Sequence, residues 1–161
     1  MKKVLNKYRE FARYINKEIK VKKDSEWLSY VEDKQIGIPR AESEDGEQAF
    51  RNSIIKALPD DKKEVIDIIP DFAWSFLHEV GHIQKGKRIN DTITRAIANA
   101  CGRMGFNRLA NLIYFNLKEE KQATKWATNY VINNEEVVIK FSNELIKAYK
   151  RYYKTMNLTE C

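Results

Sequence analysis

Apolar residues recur at steps of three and four from Val4 through Tyr8, Phe11, Ile15 and Ile19. This is the stripe of an amphipathic helix, and it predicts one over residues 3–20 with a lysine-rich opposite face. The pattern then changes: Glu26-Trp27-Leu28-Ser29-Tyr30-Val31 mixes aromatic and β-branched residues, and Ile36-Gly37-Ile38 repeats the theme after the polar stretch Glu32-Asp33-Lys34-Gln35. The two runs predict a small antiparallel hairpin over residues 26–39. Pro39 lacks a backbone donor and suits the end of an edge strand. The stretch Ala41-Glu42-Ser43-Glu44-Asp45-Gly46 has almost nothing to bury and reads as a loop.

Helical spacing returns with Ala49, Phe50, Ser53, Ile54 and Ala57, halts before Pro59, and runs for another turn through Val65 and Ile69. Pro70 and Asp71 then suit the first turn of a helix over about residues 71–85. The proline lacks only a donor that would be orphaned there, and the acid faces the positive end of the helix dipole. Phe72, Ala73, Phe76, Leu77 and Val80 are the inward positions of this helix, and Gly86 is its stop signal. From Asn90 to Leu117 one stripe (Ile93, Ile97, Ala100) is resumed by Leu109, Leu112 and Ile113, with a break expected near Gly102 to Gly105. Two further helices follow. One, over about 118–132, has acids at its head and Ala123, Trp126 or Ala127, and Tyr130 or Val131 on one face; the other, over about 135–154, has Val137, Phe141, Leu145, Ala148, Tyr149 and Tyr152. The fold class is therefore α+β, predominantly helical, in a single domain over residues 1–161.

Composition changes this picture little. The charged share of 32% suits a soluble, mostly helical protein, and no apolar run is long enough for a membrane span. At the start, Met1-Lys2-Lys3-Val4-Leu5-Asn6-Lys7 is positively charged, but polar residues interrupt it before a signal-peptide core can form, so a cytoplasmic location is expected. Cys101 and Cys161 form no CxxC and are expected to be free thiols. The net charge of +6 is unevenly spread: residues 1–23 are basic, residues 24–48 acidic, and Lys140, Lys147, Lys150, Arg151 and Lys154 give the last helix a second basic face. Such faces can attract nucleic acid or an acidic protein, although solvated helix surfaces carry the same pattern.

The chemistry is concentrated in His78-Glu79-Val80-Gly81-His82. Two imidazoles four residues apart on a helix stand about 40° apart around its axis and roughly 6 Å along it, so both can reach one ion. The glutamate after the first histidine points about 100° away, beside the water such an ion would hold, and is placed to take its proton. The chain has two histidines in 161 residues, and both are here. A catalytic zinc takes three protein ligands and keeps one position for water, so with both histidines used and no CxxC the third ligand must be a carboxylate. Downstream candidates are Asp91, Glu119, Glu120, Glu135, Glu136 and Glu144. Glu119 and Glu120 open a helix whose apolar face can pack on the motif helix, and packing alone does not choose between them.

The motif helix, followed after a few dozen residues by Glu120-Lys121-Gln122-Ala123-Thr124-Lys125-Trp126-Ala127, resembles the ImmA/IrrE family of metallopeptidases. There an HExxH helix precedes a second helix reading roughly E-x-[EQ]-A-[ND]-x-[FW]-A and an aliphatic stretch. Gln122, Ala123, Trp126 and Ala127 match that pattern, and Tyr130-Val131-Ile132 supplies the aliphatic stretch. Thr124 departs from the usual Asn or Asp, and Asn133 stands where a proline is common. The resemblance covers about residues 70–133 and implies a zincin-like domain with one zinc per chain, held by His78, His82 and Glu120, with Glu79 as catalytic base. It further implies a specific protein substrate, such as a helix-turn-helix repressor of a phage or mobile element. Two other readings stay open: a zincin-like binding module that sequesters a regulator or nucleic acid without cutting it, and a metallohydrolase acting on an ester or a non-peptide amide. An extended substrate would add to an exposed hairpin edge, for which Ile36 to Ile38 is the expected strand.

Overall fold

The computed structural model describes residues 1–23, 29–31, 34–38, 69–85 and 92–157. The expected acidic loop at 41–46, the helical spacing from Ala49 to Val65, Pro39, Gly86 and Asp91 lie outside the described residues. Helix α1 (Lys2–Ile15) buries Val4, Tyr8 and Phe11 of the expected stripe together with Ala12, while Ile15 is half-buried. It stops five residues short of the expected end. Asn16 is extended, and its side-chain oxygen accepts the Glu18 amide at 2.9 Å. This local bond gives the backbone an alternative to another helical turn. Ile19 is still buried, but from the turn that leads into strand β1 (Lys20–Lys23). The Arg9 side chain ties the two elements together by donating to the Val21 carbonyl at 3.0 Å.

Strands β2 (Ser29–Val31) and β3 (Gln35–Ile38) complete a three-stranded sheet in the order β1-β3-β2. β3 runs parallel to β1, with Val21 opposite Ile36, and antiparallel to β2, with Tyr30 opposite Ile36. The expectation of a purely antiparallel hairpin is thus corrected to a mixed sheet with a parallel pair. Residues 20–23 carry no strand pattern in the sequence, because lysines flank the single apolar Val21. A second expectation falls with it. β3 is the central strand, paired on both sides, with Ile36 and Ile38 fully buried, so it cannot be the edge to which a substrate strand adds. At the entry to β3, Lys34 takes a positive φ of 54° and accepts the Lys20 amide, while its ammonium pairs with Glu18.

The remaining described elements are α2 (Asp71–Lys85), α3 (Thr92–Arg103), α4 (Asn107–Phe115), α5 (Lys118–Asn133) and α6 (Glu135–Asn157). The Pro70 carbonyl accepts the amides of Ala73 and Trp74 as α2 begins. The expected break between α3 and α4 is a Schellman turn: Phe106 N–H bonds to Cys101 O, Gly105 N–H bonds to Gly102 O, and Gly105 has φ of 83°, where a side chain would be strained. One apolar cluster joins α1, the sheet, α2, α5 and α6, centred on Tyr8, Phe11, Phe76 and Phe141; the rings of Phe11 and Phe141 stack at 3.8 Å. The α3–α4 hairpin stands outside this cluster. It buries Ala98 and Cys101, but the stripe read from sequence is largely on its outer side, with Ile93 78% and Leu112 62% exposed.

α2 lies along α5, and Gly81 sets how close they come. A methyl group at Gly81 would sit 2.6 Å from the Ala123 carbonyl oxygen and 3.0 Å from its Cα, and these backbone atoms cannot rotate away. Gly81→Ala should therefore push the two helices apart and cost about 1–3 kcal/mol. A lower urea midpoint with an unchanged m-value would bear this out; a midpoint equal to that of the parent protein would mean the helices have slack.

Candidate metal centre

The close approach at Gly81 brings the polar face of α2 against the first turn of α5. His78 and His82 project from α2 on the same side, as their four-residue spacing requires. Glu120 sits three residues into α5, where an acid is favoured by the helix dipole, yet it is 1% exposed. The side chains converge on one point. His78 Nε2 lies 3.0 Å from Glu120 Oε2, His82 Nε2 lies 3.2 Å from the same oxygen, and the two Nε2 atoms are 3.1 Å apart. Donors held about 2 Å from a tetrahedral ion stand about 3.3 Å from one another, so the triangle has nearly the dimensions of three corners of such a site. Among the described residues this is the group of histidines and carboxylates that could hold a metal ion.

Electrostatics and hydrogen bonding agree with that arrangement. Burial, at 4% exposure, pushes the His78 pKa down, against the raising effect of Glu120, so the imidazole is neutral at neutral pH as a metal ligand must be. Thr124 Oγ1 is 3.2 Å from His78 Nδ1. With an ion in place, Nδ1–H would donate to that hydroxyl and leave the Nε2 lone pair for the ion. For Glu120, burial works to raise the pKa, but the bonds and charges of the two imidazoles outweigh it and hold the carboxyl well below the usual range. It is a carboxylate at any physiological pH.

Of the acids that spacing left open, the structure brings Glu120 into the triangle. The neighbouring Glu119 turns to Arg95 of α3, with which it forms an ion pair. Glu144 pairs with Lys7 at 3.0 Å, and Glu135 and Glu136 lie in the first turn of α6. Glu79 follows His78 on α2 and is half-buried.

Three neighbours of the site escaped sequence reasoning. Arg95 donates to Glu120 Oε1 at 3.4 Å, and its guanidinium lies 5.4 Å from the centre of the Tyr114 ring. Tyr114, near the end of α4, hydrogen-bonds Glu120; burial first, then the charges of Glu120 and Glu79, push its pKa far up, so the phenol stays protonated. Gly81 is the third. Its position inside the motif was visible, but nothing in the sequence announced that a backbone would pass there. In comparisons with protein families, curated proteins and solved structures, the chain has no match in any of the three.

The geometry separates two adjacent glutamates sharply. Glu120→Ala should abolish metal retention through dialysis, whereas Glu119→Ala should keep it, as elemental analysis of the two variants would show. The reverse result would place the ligand one residue earlier than the structure does.

Proposed function

We propose that this chain is a zinc-dependent metallopeptidase of the kind it resembles in sequence, the ImmA/IrrE type, and that it makes specific cuts in a protein substrate. The observation that carries this reading is the buried Glu120 carboxylate meeting both imidazoles of His78-Glu79-Val80-Gly81-His82 within 3.2 Å. Two histidines and a carboxylate are the donor set of many zinc hydrolases, and the triangle they form suits that ion in size and charge. His78, His82 and Glu120 would hold one zinc ion. When bound, zinc supplies a water whose pKa falls towards about 7 and a positive charge against which a carbonyl oxygen becomes negative.

The chain's own residues supply the rest. Glu79, one position round the helix from His78, accepts the proton of the attacking water and delivers it to the leaving amine. Thr124 keeps the His78 ring in place through Nδ1. Tyr114 remains a donor across the working pH range, because burial and nearby carboxylates disfavour its phenolate.

The substrate in this reading is a folded regulator, a helix-turn-helix repressor of a phage or mobile element, met in the cytoplasm. Among the described residues no helix is long and apolar enough to cross a membrane. The intact Glu79 favours cutting over holding, since a module that only binds its partner has no use for a base beside the metal.

Co-expression with the DNA-binding regulators encoded beside the gene tests this directly. A cleaved regulator is expected with the parent chain. Glu79→Gln should lower cleavage by at least about 100-fold while metal content stays the same. If every regulator stays intact but one co-purifies equally with both forms, the chain is a binding module instead.

A further inference from the structure

The α3–α4 hairpin packs little against the main core, yet it sends two side chains to the buried end of α5. Arg95 comes from α3 and Tyr114 from α4, two helices that pack on each other with Gly102 near the Ala110 methyl group. Arg95 is fixed from three directions: it pairs with Glu119, donates to Glu120 Oε1, and lies against the Tyr114 ring. The two oxygens of Glu120 are thereby divided. Oε2 faces His78 and His82, while Oε1 is turned to Arg95.

We propose that Arg95, supported by Tyr114, is a positioning residue for the metal centre: by occupying Oε1 it restricts Glu120 to coordination through Oε2 alone. This rests on the reading of His78, His82 and Glu120 as metal ligands. The physical reason is competition for lone pairs. A carboxylate with both oxygens available can close on a divalent ion through both, which raises the ion from four- to five-coordinate beside its water and fills the position a substrate carbonyl would need. A guanidinium cannot be deprotonated, so it holds Oε1 at every working pH. One nitrogen, Nη2, meets both Glu119 and Glu120 Oε1, so the charge sits between the two carboxylates. On this view the hairpin is a working part of the site: it carries the groups that keep one coordination position open.

Cobalt(II) in place of zinc makes the coordination number visible, because a four-coordinate ion absorbs visible light much more strongly than a five-coordinate one. The full chain loaded with cobalt should show the intense band. Arg95→Met, with its helical circular dichroism unchanged, should lose much of that intensity. Arg95→Lys should restore part of the band, and Tyr114→Phe, which removes one hydroxyl, should show a smaller loss. Should Arg95→Met fail to fold, Tyr114→Phe and Arg95→Lys decide the matter. Spectra identical to the parent in every folded variant would overturn this inference and leave the metal site standing. Failure of the parent chain to take up cobalt or zinc would overturn both.

Discussion

Burying a carboxylate costs several kcal/mol unless charges or donors meet it, and removing its partners afterwards leaves that cost uncompensated. Glu120 is buried almost completely, three residues before the point where the Ala123 backbone comes against Gly81 of α2. Polar groups meet it from several sides: two imidazoles on one oxygen, a guanidinium on the other, and a phenol. A charge so placed brings no packing gain that an apolar side chain would not supply better. Its presence, with two ring nitrogens at metal-ligand spacing, is what gives the structure a chemical meaning.

The remaining fold can be understood as support for that contact. α1 and α6 clamp the far side of α2 through Phe11, Phe76 and Phe141, and the small sheet closes one side of the same cluster through Val21, Ile36 and Ile38. α2 is consequently buried around most of its circumference, so its one polar face has a fixed direction. Gly81 then allows α5 to approach until Ala123 touches the backbone of α2. A wider spacing would leave Glu120 short of the imidazoles, and the same helices would make an inert bundle.

How much of this was legible in the sequence follows from how local each signal is. The histidine pair and the glutamate between them are four residues apart, so helical geometry alone placed them. The starts of α2 and α5 followed from Pro70-Asp71 and from the acids at residues 119–120, which are also local. The end of α1 was missed because apolar spacing continued to Ile19, while the decisive event was one bond from Asn16 to its own backbone neighbourhood. β1 was missed for a different reason: Lys20–Lys23 carries a single inward residue, and its parallel partner lies beyond the intervening strand β2. The choice of Glu120 over Glu119 needed resemblance, because both head the same helix. Arg95 stands 25 positions before its carboxylate, in a segment whose apolar stripe drew attention to the wrong side of the helix.

The account depends on a divalent ion being shared by His78 Nε2, His82 Nε2 and Glu120 Oε2. Anomalous diffraction at the zinc absorption edge, from crystals of protein purified without chelator, tests that sharing most directly. The expected result is a single strong peak about 2 Å from each of the three atoms. An anomalous map with no peak there, the three side chains bonded only to one another, would contradict it.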